Sequence, residues 1–414
     1  MAQAVSAGVV AAVVGFAGSF ALVLTGLHAV GADSRQAVSA LLTLCVAMGL
    51  LSAWFAVRHR QPISIAWSTP GAAMLAAVGG HSGGYRYAVG AFAVAGVSYA
   101  VSGASERVRR ALAAIPPGVA TAILAGILLP LCLAPIRAVA TMPDLAGPVL
   151  VVWALALRWA RRWQVPLALL TAIAVVLVER PLPHLTAATV LPEPTFTLPA
   201  FSVGALVGLA LPLYIVTMAS QNVPGLAVLA HYGYRPPTRS VLLAGGTATA
   251  LGSFSGAFSL NLAASTAALM VGPGSHADPR KRWIASLSAG AAYLVFGAAA
   301  GMFAVLLGAA PALLFQAVAG LALLGTFASA MTTTLTGSAD ATAGVAAFLT
   351  TASGVSAWQI GSPFWGLLVG LAVHFLLPRA PVPVPAPAPA VTPSARQPAA
   401  RQPSVPEPPA ADRR

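Results

Sequence analysis

Residues 61–71, Gln-Pro-Ile-Ser-Ile-Ala-Trp-Ser-Thr-Pro-Gly, break into an apolar chain with two prolines, a glycine and three hydroxyl side chains. Residues 61–67 have strand-like character. Ser68 or Thr69 then makes a good N-cap, with Pro70 as the first helical residue. The stretch reads as an extended segment followed by a half-helix that begins at membrane depth. A counterpart follows at 252–266, Gly-Ser-Phe-Ser-Gly-Ala-Phe-Ser-Leu-Asn-Leu-Ala-Ala-Ser-Thr, with Ser259 or Asn261 as the expected N-cap. Irregular backbone survives inside a bilayer only where protein or a wet cavity satisfies it. Two half-helix N-termini facing one cavity offer partial positive charge and free N–H groups, which suit a carboxylate or another anion.

The membrane context comes from composition. Of 414 residues, 58% are apolar and 7% charged, against about 25% charged in soluble domains. A water-soluble enzyme of this size is excluded, because too few charges exist to cover its surface. The first uncharged run, Met1 to Ala32, lacks a basic n-region and is too long for a signal peptide, so it reads as an uncleaved first span. Cys45 and Cys132 lie within apolar runs and read as packing residues.

Apolar runs fall near 7–30, 36–57, 62–79, 86–103, 111–133, 145–160, 165–178, 199–221, 240–253, 258–271, 284–307, 311–333, 341–356 and 363–377, which gives fourteen segments. Alternating them from a cytoplasmic N-terminus puts 18 of the 22 basic residues inside, leaving Arg35, Arg86, Arg137 and Arg180 outside. Cytoplasmic loops collect Arg and Lys, so both ends are expected in the cytoplasm of a bacterial-type inner membrane. This placement also explains the net charge of +13 as topology, with no nucleic-acid partner. From Pro378 onward the chain is proline-rich and reads as an extended cytoplasmic tail.

The chain looks duplicated. A shift of 194 residues carries Ala125-Gly126 to Ala319-Gly320, Trp67 to Asn261, and His28 to Asn222. Seven segments per half force opposite orientations, the inverted repeat of secondary transporters.

Further candidates lie at membrane depth. Gln221 and Asn222 are adjacent amides late in the eighth segment, where polar side chains need partners; a substrate-facing role competes there with helix–helix hydrogen bonding. His28 occupies the matching place in the first half, as a packing residue, a backbone hydrogen-bond partner or a proton relay. Phe16, Phe20, Trp67, Phe254 and Phe258 are aromatic neighbours able to stack on a flat ring or simply to pack. All acidic residues fall at span ends, in loops or in the tail, so no mid-span carboxylate relay is evident. Metal-ligand spacing, a Walker loop and a nucleophile elbow are absent, so the expectation is no cofactor, no metal and no enzymatic activity.

Ser19-Phe20, Val23-Leu24, Gly26-Leu27, Ala29-Val-Gly-Ala32, the run from Pro62 to Ala73, the run from Ala219 to Val228, and the run from Gly256 to Ala264 resemble the benzoate/proton symporter family of the BenE type. The resemblance extends from about residue 5 to 377 and reaches the uracil-permease-like transporters. It implies an all-α polytopic membrane protein with fourteen segments in two inverted repeats, with short strands and half-helices in segments 3 and 10. Core halves would span 1–104 and 198–307, gate halves 105–180 and 308–378, and a disordered tail 379–414. Homodimers are common in that fold. In its nucleobase branch, acidic residues on segments 8 and 10 bind substrate; here Gln221 and a residue near Asn261 stand at about those places. The resulting expectation is import of benzoate or a similar aromatic carboxylate with a proton. Trp67, Ser68, Thr69, Gln221, Asn222, Phe258 and Asn261 would form the site, and His28 is the proton-coupling candidate. The alternative is a nucleobase permease or an inorganic-anion exchanger of the same fold.

Overall fold

The computed structural model describes residues 1–78, 84–105, 116–161, 163–179, 191–308, 311–336, 341–355, 357 and 362–377. The proline-rich segment expected to be a tail lies outside these residues, as do the arginines at 107, 109, 110, 162 and 180.

In the first half the elements are α1 (Ala2–Ala17), α2 (Phe20–Ala29), α3 (Ser34–His59), β1 (Ile65–Trp67), α4 (Thr69–Val78), α5 (Tyr85–Ala104), α6 (Pro117–Cys132), α7 (Ala134–Thr141), α8 (Pro143–Trp159) and α9 (Gln164–Glu179). In the second they are α10 (Val203–His231), α11 (Thr238–Gly252), β2 (Leu260–Leu262), α12 (Ala264–Val271), α13 (Trp283–Ala298), α14 (Ala300–Gly308), α15 (Ala312–Thr336), α16 (Ala341–Ala352) and α17 (Ser362–Leu376). Both expected interruptions are present, each a three-residue strand followed at once by a short helix. Six helical stretches among the described residues are long and apolar enough to cross a bilayer, so the chain is a polytopic membrane protein.

Three boundaries differ from expectation. The run at 7–30 breaks at Gly18-Ser19, and that at 284–307 breaks at Ala299. The eighth run does not stop at 221 but continues to His231. It does so through two π-helical turns, Leu206–Ala210 and Met218–Asn222, each ending two residues before a proline, Pro212 or Pro224. Proline removes one helical hydrogen bond and its ring clashes with the carbonyl four residues back. A widened turn accommodates that ring without breaking the helix.

Helix packing reveals the duplication better than sequence identity does. α3 packs on α13, and α11 packs on α5; exchanging the two halves converts one contact into the other. The same exchange relates α1 on α12 to α10 on α4, and α8 on α9 to α16 on α17. Both long contacts close on glycines. A Cβ at Gly246 would lie 2.3 Å from the Ala100 nitrogen, and one at Gly290 would lie 2.7 Å from the Gly49 carbonyl oxygen. Small residues let membrane helices approach to backbone contact, where dispersion acts without a hydrophobic driving force.

β1 and β2 lie where the halves meet. They pair antiparallel, Ile65 with Leu262, Ala66 with Asn261 and Trp67 with Leu260. A two-stranded ribbon has two bare edges, and here hydroxyls from flanking helices cover them. Ser52 of α3 accepts from Ile65 N at 2.8 Å. Thr249 of α11 accepts from Leu260 N at 2.9 Å. Ser52 and Thr249 occupy matching positions in α3 and α11, so the edges are closed by the same device used twice.

Candidate substrate site

Strand alternation gives the ribbon two unlike faces. Ile63, Ile65 and Trp67 share one face with Phe258, Leu260 and Leu262, and all six are buried. Ser64, Ala66 and Ser68 share the other with Ser259, Asn261 and Ala263. The first face packs into the apolar core. The second carries the polar groups, each of the two half-helices beginning from an opposite end of the ribbon.

The two helix starts differ. Ser68 caps α4: its Oγ accepts from Gly71 N at 3.0 Å and its carbonyl from Ala72 N at 2.8 Å. Thr69 is therefore the first helical residue and Pro70 the second. Ser259 and Asn261 do not cap α12, contrary to expectation. Asn261 is in the strand, and the N-cap is Ala263, whose methyl group cannot accept a hydrogen bond. Among the described residues no side chain accepts from the first amide hydrogens of α12, although Ala263 is buried. Orphan donors at a buried helix start form an anion-binding arrangement.

Behind Ser68 runs a chain of buried hydroxyls. Ser259 Oγ lies 3.4 Å from Thr217 Oγ1 and 3.3 Å from Tyr99 Oη, either of which accepts its single hydrogen. Thr217 donates to Ser68 Oγ at 2.9 Å. Tyr99 donates to the Leu213 carbonyl at 3.2 Å, and Ser102 bonds to Tyr214. α5, α10, the cap of α4 at Ser68 and the residue before β2, Ser259, meet in this network. Sequence reading missed Thr217, Tyr99 and Thr249, because a lone hydroxyl in an apolar helix usually bonds its own backbone.

The amides divide by role. Asn222 Oδ1 accepts from Leu262 N at 3.1 Å, and its Nδ2 contacts Met218 Sδ at 3.3 Å. It secures β2 to the second π turn. The side chain of Gln221, one residue earlier and 7% exposed, makes no hydrogen bond among the described residues. Asn261 donates to the Leu262 carbonyl at 2.8 Å, while its Oδ1 is buried without a hydrogen-bond partner among the described residues, as is Ser64 Oγ.

The remaining candidates sit elsewhere. Trp67 donates its indole N–H to Ser19 Oγ at 2.8 Å and packs on Phe16, centroids 5.6 Å apart. Phe16 in turn meets Phe20, Phe296 and Phe303. Phe258 is buried edge-on to Phe92 at 6.1 Å, and Phe254 stacks on Phe196. Trp67 and Phe258 thus occupy the ribbon face away from Ser68 and Asn261. His28 is exposed at the end of α2, its Nδ1 bonded to the Ala32 carbonyl at 2.9 Å. Among the described residues no group of three His, Cys, Asp or Glu side chains is placed to hold a metal.

A family model described as the BenE benzoate membrane transport protein matches residues 1–376. The chain belongs to the benzoate membrane transport family. It is 34% identical over 372 residues to the inner membrane protein YdcO of Escherichia coli, covering 90% of this chain and 95% of that protein. It is 27% identical over 375 residues to the benzoate membrane transport protein of Acinetobacter baylyi, covering 91% and 95%. Among solved structures it is similar to the transmembrane domain of a cyanobacterial bicarbonate transporter, BicA, with a TM-score of 0.54 at 15% identity, covering 90% of this chain and 95% of that one. It is also similar to the murine anion transporter Slc26a9 in its inward-facing state, with a TM-score of 0.59 at 13% identity, covering 91% and 68%. At such identities the likeness concerns the fold, an inverted-repeat transporter architecture. This BenE-family chain is a membrane transporter and not an enzyme.

Proposed function

We propose that the protein imports benzoate or a closely similar aromatic carboxylate together with a proton. The observation that carries the reading is the ribbon itself: it holds a hydroxyl-capped helix start and an uncapped one beside a polar face. In the proposed pose the carboxylate meets the Ser68 hydroxyl and the amide at Thr69, and Gln221 donates from the π turn. Asn222 acts by holding β2, and Asn261 lies beside the carboxylate. Trp67 and Phe258 support the ribbon from its apolar side.

Fourteen crossings are proposed, with both termini cytoplasmic. Core residues 1–104 and 198–307 would move against gate residues 105–180 and 308–378, in a homodimer, to expose the site alternately. The core meets the gate where α4 packs on α6 and α2 on α15. The proton is assigned to His28. Its Nδ1 donates to the Ala32 carbonyl, which fixes the ring at the end of α2.

The test is uptake of labelled benzoate into proteoliposomes, with and without an acid-outside gradient. Accumulation that follows the gradient and is competed by salicylate supports the proposal. Uptake indifferent to the gradient removes the symport. The second reading, an inorganic-anion or nucleobase carrier, rests on the shared fold and on the uncapped helix start, which fits any small anion. Competition by bicarbonate, sulfate or uracil, with no effect of salicylate, would favour it.

A further inference from the structure

The hydroxyl chain behind the site has a direction. A serine hydroxyl has one hydrogen and two lone pairs. Ser68 Oγ accepts from Gly71 N and from Thr217 Oγ1, so both lone pairs are engaged. Thr217 is itself an acceptor from Ser259, and its own hydrogen goes to Ser68. Behind Thr217, the single hydrogen of Ser259 serves either Thr217 or Tyr99, and Tyr99 gives its own to the Leu213 carbonyl. The hydrogen of Ser68 is the one left over. It has no acceptor among the described residues, although Ser68 is fully buried. An unmade buried donor is destabilising, and a ligand oxygen at the ribbon's polar face would supply its acceptor.

We infer that Thr217 is a positioning residue that makes Ser68 a donor-only group, so that the site takes its cargo as the carboxylate anion and disfavours neutral analogues. This rests on the function proposed above and deepens it. A carboxylate accepts at both oxygens; a protonated acid or an amide keeps one acceptor oxygen and carries a donor in place of the other, so when its carbonyl takes the Ser68 hydrogen its donor is left facing the neighbouring N–H groups of the site. Were Thr217 to lose its hydroxyl, the freed lone pair of Ser68 would let the serine turn its hydrogen toward other acceptors, and the preference for the anion would fall. Anion binding then also requires that the proton travel on the protein, separately from the cargo.

The experiment measures equilibrium binding of labelled benzoate to the purified full-length protein, with benzamide as the neutral competitor. The variants are Thr217→Val, Thr217→Ala, Thr217→Ser, Ser68→Ala and the double variant Ser68→Ala/Thr217→Val. Thr217→Val and Thr217→Ala are expected to weaken benzoate roughly tenfold, the effect of losing the oriented Ser68 hydrogen bond to a charged group. Thr217→Ser keeps the hydroxyl and is expected to stay within about twofold of wild type, on the same argument. Benzamide competition is expected to be unchanged in Thr217→Val, which a general loosening of the site would not give. On the Ser68→Ala background, Thr217→Val is expected to add little, because the two act through one hydrogen bond. Wild-type affinity in both Thr217→Val and Thr217→Ala, or a full additional loss in the double variant, would overturn the inference while leaving the proposed function standing. Wild-type protein that fails to bind benzoate at all would overturn the proposed function, and this inference with it.

Discussion

At the residue scale, the site is a sorting of polar groups into those that hold backbone and those that do not. Asn222 and Thr249 each accept from a β2 amide, while the Gln221 amide has no such duty. Gln221→Ala is therefore expected to weaken benzoate binding roughly tenfold, the range for a hydrogen bond to a charged group, with proton coupling retained; binding titration and gradient-driven uptake measure the two effects separately. His28→Gln should do the opposite, leaving binding near wild type and making uptake insensitive to the imposed pH gradient. Ser68 was legible in sequence because a Ser-Thr-Pro run is a helix-start signal. Thr217 was not legible, since its partners Ser68 and Ser259 lie 149 and 42 residues away in the chain.

At the element scale, the ribbon is stable only because its edges are closed. Three-residue strands contribute few hydrogen bonds, and backbone groups without partners are costly where water is absent. Thr249→Val keeps the shape of the side chain but strands the Leu260 amide. Ser52→Ala does the same to Ile65. Each is expected to lower stability by about 1–3 kcal/mol, read as a lower melting temperature in detergent. Similar losses are expected in the two variants, because the two edges are built alike. The strand-then-helix order was readable at 61–71 and 252–266. The helix start in the second half was misplaced by sequence reading. A polar residue looks like a cap wherever it precedes a helix, but Asn261 is drawn into the ladder by pairing with Ala66, and the helix starts after it. The continuation of α10 past Pro224 was likewise hidden. A lone sequence marks proline as a helix end, whereas packing can hold the chain helical through a π turn.

At the scale of the whole molecule, two glycine contacts join the core helices across the repeats. Gly246→Leu would drive a side chain into the Ala100 backbone. The expected result is loss of monodisperse protein on size-exclusion chromatography, since overpacking a backbone contact costs about 1–3 kcal/mol or more. Orientation has its own test. Cysteines introduced as Arg58→Cys or Arg235→Cys should react with an impermeant maleimide only in opened cells, and Arg137→Cys should react in intact ones. Cys45 and Cys132 are buried and give a low background.

Sequence alone determined that the chain lives in a bilayer, where its two strand-then-helix interruptions fall, and which residue types stand at them. Those properties depend on local composition and on neighbours a few residues apart, such as the alternation of Ile63, Ile65 and Trp67 with Ser64, Ala66 and Ser68. Tertiary structure decided which break faces which, that α12 starts without a cap, and that Trp67 and Phe258 turn away from the polar face. It also decided that Thr217, inconspicuous in an apolar helix, bonds to Ser68. The physical reason is the reach of the interactions. Strand register joins residues about two hundred positions apart and the Thr217–Ser68 bond residues 149 apart, and no local pattern encodes where a chain folded back on itself will meet.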